Sequence, residues 1–375
     1  MTNKDSYQKL IEHLGEWIFG APESEYLLPL LKHRFTPDEA ELLSQIPYLP
    51  HTAEQLSEKL NMPVEELKDK LEDFAKRGIV NRSEGRNAIR YTSGDLMFMF
   101  YRMPWWPGNT EEWDRKLAPL ANNYYIDAYA ADYMGYHTKG LRAVPINQTV
   151  KDSRQIMPYE DIVKIVENAE FYSVSHCACR QRHNLDPNFE ECKHETENCL
   201  HFDRLGRYTV DQGVGREITK EETLEILAKA ADEGLVHGVS TTKVGVDTIC
   251  NCCKDHCLLL ESIVKMPGIV PRGHNRSNYI REIDDEKCIK CGLCAKKCPM
   301  GAIEFIKEDE TKTLTFTPDR CIGCGVCVHK CPEDAIYLVH REGEEDFPNN
   351  PREMVGRYLE ERGRDPVEVF RKNSP

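Results

Sequence analysis

The sequence predicts an α+β protein in three parts: a helical N-terminal part, a mixed α/β middle part that contains cysteines, and a small C-terminal part built on a repeat. Helix-capping motifs and apolar residues at helical spacing dominate the first 100 residues. Helical patterns then alternate with short apolar stretches beyond about residue 144. All 16 cysteines of the 375-residue chain lie between Cys177 and Cys331. This distribution is typical of metal or cluster binding in a reducing compartment and not of a secreted disulfide scaffold.

The charge balance limits the classes of partner. Lys and Arg number 49 against 63 Asp and Glu, so the net charge is −14. Such an acidic chain lacks the basic field that holds phosphates, and bulk nucleic-acid binding is not expected. The N-terminus is polar, and no apolar run approaches the ~18 residues of a membrane span. We expect a cytoplasmic protein without a membrane span, and a homo-oligomer is compatible with this composition.

The N-terminal part, predicted over residues 1–100, consists of helices followed by a hairpin. A helical lead-in reaches about residue 33. Two helix starts follow, at Thr36 and Thr52, each with Glu or Gln three residues after the capping threonine. A third helix begins after Pro63, and a polar turn at residues 83–85 predicts a hairpin. The order of these elements resembles a winged helix.

The charge of the third helix argues against the DNA binding that a winged helix usually indicates. Glu65 and Glu66 open this helix, where a recognition helix needs cations and base-reading side chains. We therefore expect packing or docking to another protein. Arg82, Arg86 and Arg90 near the turn keep DNA binding as an alternative.

A connecting segment, predicted over residues 101–145, and the residues just before it are rich in aromatic side chains. Residues 104–108 contain two prolines and a glycine and predict a rigid turn. We expect core packing between domains, and the alternative is a surface that docks a partner or shields a cofactor. The aromatic residues are Phe98, Phe100, Tyr101, Trp105, Trp106, Trp113, Tyr124 and Tyr125.

The middle part, predicted over residues 146–279, is interpreted as mixed α/β. A helix over residues 158–169 leads into an apolar stretch that ends at the first cysteines. A capping box at Thr219 opens a second helix that stops at Gly234. Residues 213–215 lack the context of a dinucleotide fingerprint, so the sequence does not support a bound flavin or nicotinamide.

The C-terminal part, predicted over residues 280–342 and followed by a tail over 343–375, carries the strongest motif. The spacing C-x2-C-x2-C-x3-C-P occurs twice, 33 residues apart. An Ala-Ile pair recurs at the same offset in both copies. This internal repeat resembles a bacterial two-cluster ferredoxin. The cysteines are Cys288, Cys291, Cys294 and Cys298 in the first copy and Cys321, Cys324, Cys327 and Cys331 in the second.

The ferredoxin resemblance implies two [4Fe-4S] clusters. Three cysteines on one tight loop can bind three corners of a cubane, and in such ferredoxins the fourth ligand comes from the other copy. Zinc motifs favour C-x2-C pairs with longer gaps between them, so zinc is not expected here. The implied ligand sets are Cys288, Cys291, Cys294 and Cys331 for one cluster and Cys321, Cys324, Cys327 and Cys298 for the other.

Eight further cysteines form two groups upstream, and neither group has the ferredoxin spacing. Neighbouring side chains such as those of Cys252 and Cys253 point different ways, so ligands are expected from both groups. One or two further iron–sulfur clusters are the preferred interpretation. The alternatives are a zinc site in the first group and unliganded buried cysteines. The groups are Cys177, Cys179, Cys192 and Cys199, then Cys250, Cys252, Cys253 and Cys257.

Several polar residues lie close to these cysteines in sequence. We expect Arg180, His176 and Lys254 to donate hydrogen bonds to cluster sulfur or to offset cluster charge. Three histidines are interpreted as supporting or surface residues and not as ligands: His194, His201 and His256.

The middle part also resembles a mostly uncharacterised group of multi-cluster iron–sulfur proteins of anaerobic bacteria and archaea. The resemblance spans roughly residues 140–340 and implies electron transfer to or from a redox enzyme. The motifs that carry it are Asp152-Ser153-Arg154, Pro158-Tyr159-Glu160, Cys177-x-Cys179-Arg180, Gly213-x-Gly215-Arg216-x-Ile218 with Glu221-Glu222, and Cys250-Asn251-Cys252-Cys253.

The expected function is relay of single electrons to or from a redox partner protein or enzyme complex. The first alternative is a small reductase with a substrate site at the upstream cysteines. The second is a redox-sensing regulator that binds DNA through the winged helix.

Overall fold

A computed structural model describes residues 5–85, 87–146, 160–260, 273–308 and 310–375. Helices and strands are both abundant in these segments, which confirms the predicted α+β class. The helices of the first 146 residues are α1 (Ser6–Gly15), α2 (Leu27–Arg34), α3 (Pro37–Leu43), α4 (Ala53–Leu60), α5 (Val64–Lys76), α6 (Leu96–Tyr101), α7 (Glu112–Tyr124) and α8 (Ala130–Gly135). The strands of this half are β1 (Val80–Glu84), β2 (Ile89–Ser93) and β3 (Leu141–Ala143).

The local signals of the N-terminal part are largely confirmed. Thr36 and Thr52 both form reciprocal capping boxes, at the starts of α3 and α4. The predicted hairpin is the antiparallel pair β1–β2. The predicted helical lead-in consists of two helices, α1 and α2, with a break between them. The winged-helix interpretation of this arrangement stays a prediction.

Two arginines around α5 form ion pairs with carboxylates. Arg77 pairs with Glu39 and Asp73, and Arg82 pairs with Glu72. These pairs occupy guanidinium groups that a phosphate backbone would otherwise bind. The DNA-binding alternative therefore gains no support from the described part of this surface.

The aromatic segment is mostly core, as expected. Trp105 is fully buried, whereas Trp113 is 41% exposed. A π-helical turn at Tyr125–Tyr129 joins α7 to α8, so one long helical element runs through this segment. The other aromatic residues that are buried here are Phe100, Tyr101, Trp106, Tyr124, Tyr125, Tyr129 and Tyr133.

The middle part is a six-stranded sheet in the order β3-β7-β8-β5-β4-β6. The expected mixed α/β arrangement is wrong for this sheet, because each described strand pair in it is antiparallel. Helices in sequence between strands therefore do not form parallel crossover units. The strands are β4 (Tyr172–His176), β5 (Glu197–Phe202), β6 (Arg216–Glu217), β7 (Val236–Ser240) and β8 (Thr248–Cys252), and the helices are α9 (Ile162–Glu167), α10 (Ala178–Asn184), α11 (Asp203–Asp211) and α12 (Lys220–Glu233).

The start of α12 differs from the prediction in one detail, and its end agrees with the prediction. Thr219 caps α12 through the Glu222 amide, but Glu222 pairs with Arg216 instead of completing a capping box. Gly234 ends α12 in a left-handed conformation with φ 83°, as expected. The predicted start at Pro158 and the motifs Asp152-Ser153-Arg154 and Pro158-Tyr159 lie outside the described residues.

The C-terminal part contains two strand pairs and two short helices around the repeat cysteines. β9 pairs with β12, and β10 pairs with β11, both antiparallel. The expected tail forms two helices, and Asn373 accepts a hydrogen bond from the Tyr48 amide at 2.9 Å, so the tail packs on the N-terminal part. The elements are β9 (Tyr279–Ile283), α13 (Leu293–Lys297), β10 (Ile303–Glu308), β11 (Thr311–Phe316), α14 (Val326–His329), β12 (Ile336–His340), α15 (Pro351–Glu361) and α16 (Pro366–Asn373).

Candidate metal centres

Four repeat cysteines line one cavity in the C-terminal part. Cys294 is buried and Cys291 is exposed, so one side of this cavity faces solvent. Gly292 adopts a left-handed conformation with φ 77°, and a Cβ there would press on the Phe305 ring at 2.8 Å. We call these four cysteines the outer set: Cys288, Cys291, Cys294 and Cys331.

The remaining repeat cysteines lie together on the more enclosed side. Burial raises the pKa of the Cys327 thiol well above its ordinary value, and the three neighbouring thiols raise it further. Cys324 and Cys327 are each 8% exposed. We call these four cysteines the inner set: Cys298, Cys321, Cys324 and Cys327.

Both copies of the repeat direct an equivalent backbone amide at sulfur. The Ala302 N–H donates to Cys298 Sγ and the Ala335 N–H donates to Cys331 Sγ, each at 3.3 Å. These are the cysteines that each copy contributes to the other copy's set. Amide hydrogen bonds to cysteine sulfur stabilise anionic thiolates and help to set the potential of a bound cluster.

A buried cation lies between the outer and inner sets. Arg281 is 7% exposed, and its Nε has no hydrogen-bond partner among the described residues. Burial raises the pKa of Cys294 and of Cys327, and the charge of Arg281 opposes that rise in both thiols. A buried guanidinium beside both sets fits anionic thiolate-bound clusters better than it fits eight neutral thiols.

A second cavity lies between the middle sheet and the aromatic segment. Its wall includes the aromatic side chains of Tyr101, Trp106 and Tyr133. Seven upstream cysteines line it, and all of them except Cys253 interact through their thiols in one continuous network. We call this site the six-thiol cavity, with Cys177, Cys179, Cys199, Cys250, Cys252 and Cys257.

Cysteines of the two upstream groups meet across the fold in this network. Cys199 on β5 interacts with Cys250 on the neighbouring β8, and Cys179 on α10 interacts with Cys257. Contact with Cys250 raises the pKa of Cys199 well above its ordinary value, and contact with Cys199 holds the pKa of Cys250 well below. Thiols held this close together suit a shared metal centre, because a metal deprotonates the thiols that it coordinates.

Cations and a histidine surround the six-thiol cavity. Arg102 interacts electrostatically with Cys250 and Cys199, and Arg180 interacts with Cys177. Nε2 of His274 lies 3.7 Å from the sulfur of Cys252. The buried positive charge and the dense thiols together fit an anionic iron–sulfur cluster in this cavity.

The expected sulfur donors are only partly correct. Arg180 is fully buried and reaches the cysteines, as expected. Nδ1 of His176 instead pairs with the Thr196 hydroxyl at 2.8 Å, and Lys254 is exposed. Sequence reasoning did not identify Arg102, Arg281 or His274, because each is distant in sequence from the cysteines it approaches.

Two upstream cysteines lie beside each other. Cys192 Sγ is 3.9 Å from Cys253 Sγ, and both residues are buried. Cys253 also borders the six-thiol cavity, whereas Cys192 does not line it. The zinc alternative built from Cys177, Cys179, Cys192 and Cys199 therefore receives no support, because Cys192 pairs with Cys253 instead.

Comparison with known families identifies the C-terminal chemistry. Residues 281–338 match the family model of the 4Fe-4S dicluster domain. This match supports [4Fe-4S] clusters in the part of the chain that holds the outer and inner sets. Searches of curated proteins and of solved structures found no match to the chain.

Membrane attachment through a spanning helix has no support in the part of the chain that the structure describes. No helix there combines the length and the apolar character that a bilayer span requires.

Proposed function

We propose that this chain is an electron-transfer protein that holds [4Fe-4S] clusters on its outer and inner sets and a further iron–sulfur cluster in the six-thiol cavity. One-electron transfer is the chemistry that such clusters supply when bound. The observation that carries the proposal is how deeply the three groups of cysteines are buried. The outer set lies at an exposed edge, the inner set lies deeper, and the six-thiol cavity lies at the buried centre of the fold.

The outer set is the thiol group closest to solvent. Cys291 is exposed, and its loop neighbour Ile289 is 57% exposed. An exposed apolar side chain beside a cluster site suits brief docking of a redox partner protein. The chain's net charge of −14 favours a partner with a basic docking face and predicts association rates that fall with salt.

The inner set faces the middle part of the molecule. The Ile146 N–H donates to the Cys324 carbonyl at 3.4 Å, and the Ser277 N–H donates to the Ile322 carbonyl at 3.0 Å. Cys324 belongs to the same buried core as Cys252 and Cys257 of the six-thiol cavity. The inner set therefore stands between the solvent-facing outer set and the cavity.

One short segment joins the inner set to the six-thiol cavity. His274 lies beside Cys252, and Ser277, three residues later, bonds to the loop of Cys321 and Cys324 through Ile322. Three residues of extended chain span at most about 11 Å. The two residues that contact the sites are therefore close together, which suits electron transfer, because the rate of electron tunnelling falls steeply with distance.

The buried arginines stabilise negative charge along this route. Arg281 lies near both repeat sets, and Arg102 and Arg180 lie near the cavity thiols. Because these guanidinium groups are at least partly removed from water, their charges act more strongly than surface charges do. They also favour the reduced, more negative state of any cluster held there.

The test is anaerobic quantitation of iron and sulfide, combined with EPR, on the full chain. More than eight irons per chain supports a cluster in the six-thiol cavity, since two cubanes account for eight. About eight irons overturns the further cluster. Far fewer than eight in a folded, reconstituted protein overturns the electron-transfer proposal as a whole.

Two matched serine variants separate the sites. Cys252→Ser is expected to remove the upstream EPR signal and leave the repeat signals, whereas Cys291→Ser should alter only the repeat signals. Loss of the same signals in both variants would contradict separate sites. An upstream signal that is unchanged in Cys252→Ser would contradict the ligand set proposed for the cavity.

The reductase alternative has one observation in its favour. The six-thiol cavity has aromatic side chains beside its cysteines, and Tyr101 and Trp106 form part of its wall. Space beside a cluster can admit a small substrate. Cyanide that shifts the upstream EPR signal, but not the repeat signals, would support an accessible iron. An unchanged upstream signal would favour electron transfer alone.

A further inference from the structure

A third side chain of a type that binds metals lies beside Cys192 and Cys253. The Nδ1 or Nε2 atom of His256 and the two sulfur atoms all lie within 4.8 Å of one another. Cys192 comes from the loop after α10, whereas Cys253 and His256 come from the turn after β8. The three side chains thus bring two distant segments together at one point.

The hydrogen bonds of His256 leave one ring nitrogen ready to bind a metal. Nε2 lies 2.9 Å from the Glu190 carbonyl oxygen, which can only accept, so Nε2 carries the proton. Nδ1 then holds a lone pair. It is buried, and the side chain that His256 interacts with on this side is the Cys253 thiol. This is the arrangement of a metal-binding histidine, whose second nitrogen usually donates to a carbonyl or carboxylate.

The distance between the sulfur atoms of Cys192 and Cys253 fits the binding of both to one metal ion. Two thiolates bound tetrahedrally at the usual Zn–S distance of about 2.3 Å lie about 3.8 Å apart. Cys192 Sγ and Cys253 Sγ lie 3.9 Å apart. In a cubane each cysteine binds a different iron, so its ligand sulfurs lie farther apart than this.

The loop that carries Cys192 is held in place independently of a metal. The Cys192 N–H donates to the Asn184 side chain at 2.9 Å. On the other side, the Cys257 N–H donates to the Cys253 carbonyl at 3.2 Å. Both sulfur atoms are therefore positioned by the backbone, as a preorganised metal site requires.

We propose that Cys192, Cys253 and His256 bind a single zinc ion, separate from the iron–sulfur sites. Two thiolates and one imidazole are donors that zinc prefers, and three protein ligands leave a fourth tetrahedral position for water or an added ligand. Zinc here would tie the Cys192 loop to the turn that also carries Cys252 and Cys257 of the six-thiol cavity. This proposal does not depend on electron transfer.

The charge of Arg180 suits two neighbouring sites. It is fully buried and interacts with Cys253 of the zinc triad and with Cys177 of the cavity. Zinc with two thiolates is neutral overall. The guanidinium charge therefore remains available to the anionic centre in the cavity.

The test measures zinc and iron in the same anaerobic preparations of the full chain. We expect one zinc per chain in the wild type. His256→Ala should weaken zinc binding by more than ~100-fold, measured by competition with a chelator, while iron stays constant. His194→Ala is the matched control: its Nδ1 bonds to Glu233 at 2.7 Å, outside the triad, so zinc should remain.

A second readout guards against misfolding of the variants. Cobalt added in place of zinc should give the thiolate-to-cobalt charge-transfer band and the strong visible bands of a tetrahedral site, and Cys192→Ser should weaken the charge-transfer band. Absence of zinc and cobalt binding by iron-loaded wild type would overturn the proposal. Loss of iron together with zinc in His256→Ala would also overturn it, since the triad would then belong to a cluster. Unchanged zinc binding in His256→Ala would do the same.

Discussion

The contact between the inner-set loop and the 273–279 segment can be tested at one glycine. Gly323 has φ 68°, and a Cβ there would collide with the Ser277 hydroxyl and the Tyr279 carbonyl, whose carbon would be 2.9 Å away. Tyr279 begins β9, so its backbone cannot move without disturbing the β9–β12 pair. Gly323→Ala therefore tests the junction between the inner set and the middle part.

Gly301→Ala provides the matched control. Gly301 lies in the same repeat and has φ 57°, but a Cβ there meets nothing within 4 Å. Both variants carry the left-handed penalty of about 1–2 kcal/mol. Only Gly323→Ala adds a backbone clash, and overpacking of this kind costs about 1–3 kcal/mol more.

The assay compares anaerobic thermal unfolding and EPR of the two variants. Gly323→Ala should lower the apparent Tm by several degrees more than Gly301→Ala at the same scan rate. It should also alter the inner-set EPR signal before the outer-set signal. Equal losses in both variants, with equal EPR spectra, would refute the close packing of the inner-set loop on Ser277 and Tyr279.

Two other predictions concern charge. Arg102→Gln should make the reduction potential of the upstream cluster more negative by about 100 mV. The reason is that one charge a few Å away, at an effective dielectric of ~20, contributes about 2–4 kcal/mol. An EPR redox titration that shows no shift would place Arg102 too far from the cavity thiols. Burial lowers the pKa of His13 to about 4 in the folded protein. Between pH 6.5 and pH 4 the unfolded state therefore binds more protons than the folded state, and the free energy of unfolding decreases as the pH falls. The loss should be about 2 kcal/mol at pH 5, and His13→Phe, which keeps the stacking on Tyr48, should reduce the difference in Tm between pH 7 and pH 5.

The sequence predicted those features of the structure that depend only on residues close together in the chain. The capping boxes at Thr36 and Thr52 follow from side chains three residues apart, and the structure confirms both. The repeat spacing predicted a ferredoxin part, which the dicluster family match supports. In each case the determining residues lie within one turn or one loop, where the chain itself restricts the geometry.

Long-range pairing could not be predicted in the same way. The middle sheet was expected to be mixed α/β, because alternating helical and apolar stretches do not specify whether neighbouring strands are parallel. Cys192 was grouped with Cys199 by proximity in sequence, but it pairs with Cys253, 61 residues away. The sequence also does not show the hydrogen bond of His256 to Glu190, which fixes its tautomer and forms only in the folded chain.

The position of one segment explains why the middle part and the repeat form one unit. Residues 273–279 contact Cys252 through His274, β3 through the Asn275 amide, and the inner-set loop through Ser277. A ferredoxin module that only docked on the surface would not need its loop backbone bonded into the neighbouring core. The shared backbone fixes the inner set relative to the six-thiol cavity, and a fixed separation is what electron transfer between two bound centres requires. This shared backbone supports the proposal that the six-thiol cavity is the other end of an electron-transfer route that begins at the repeat.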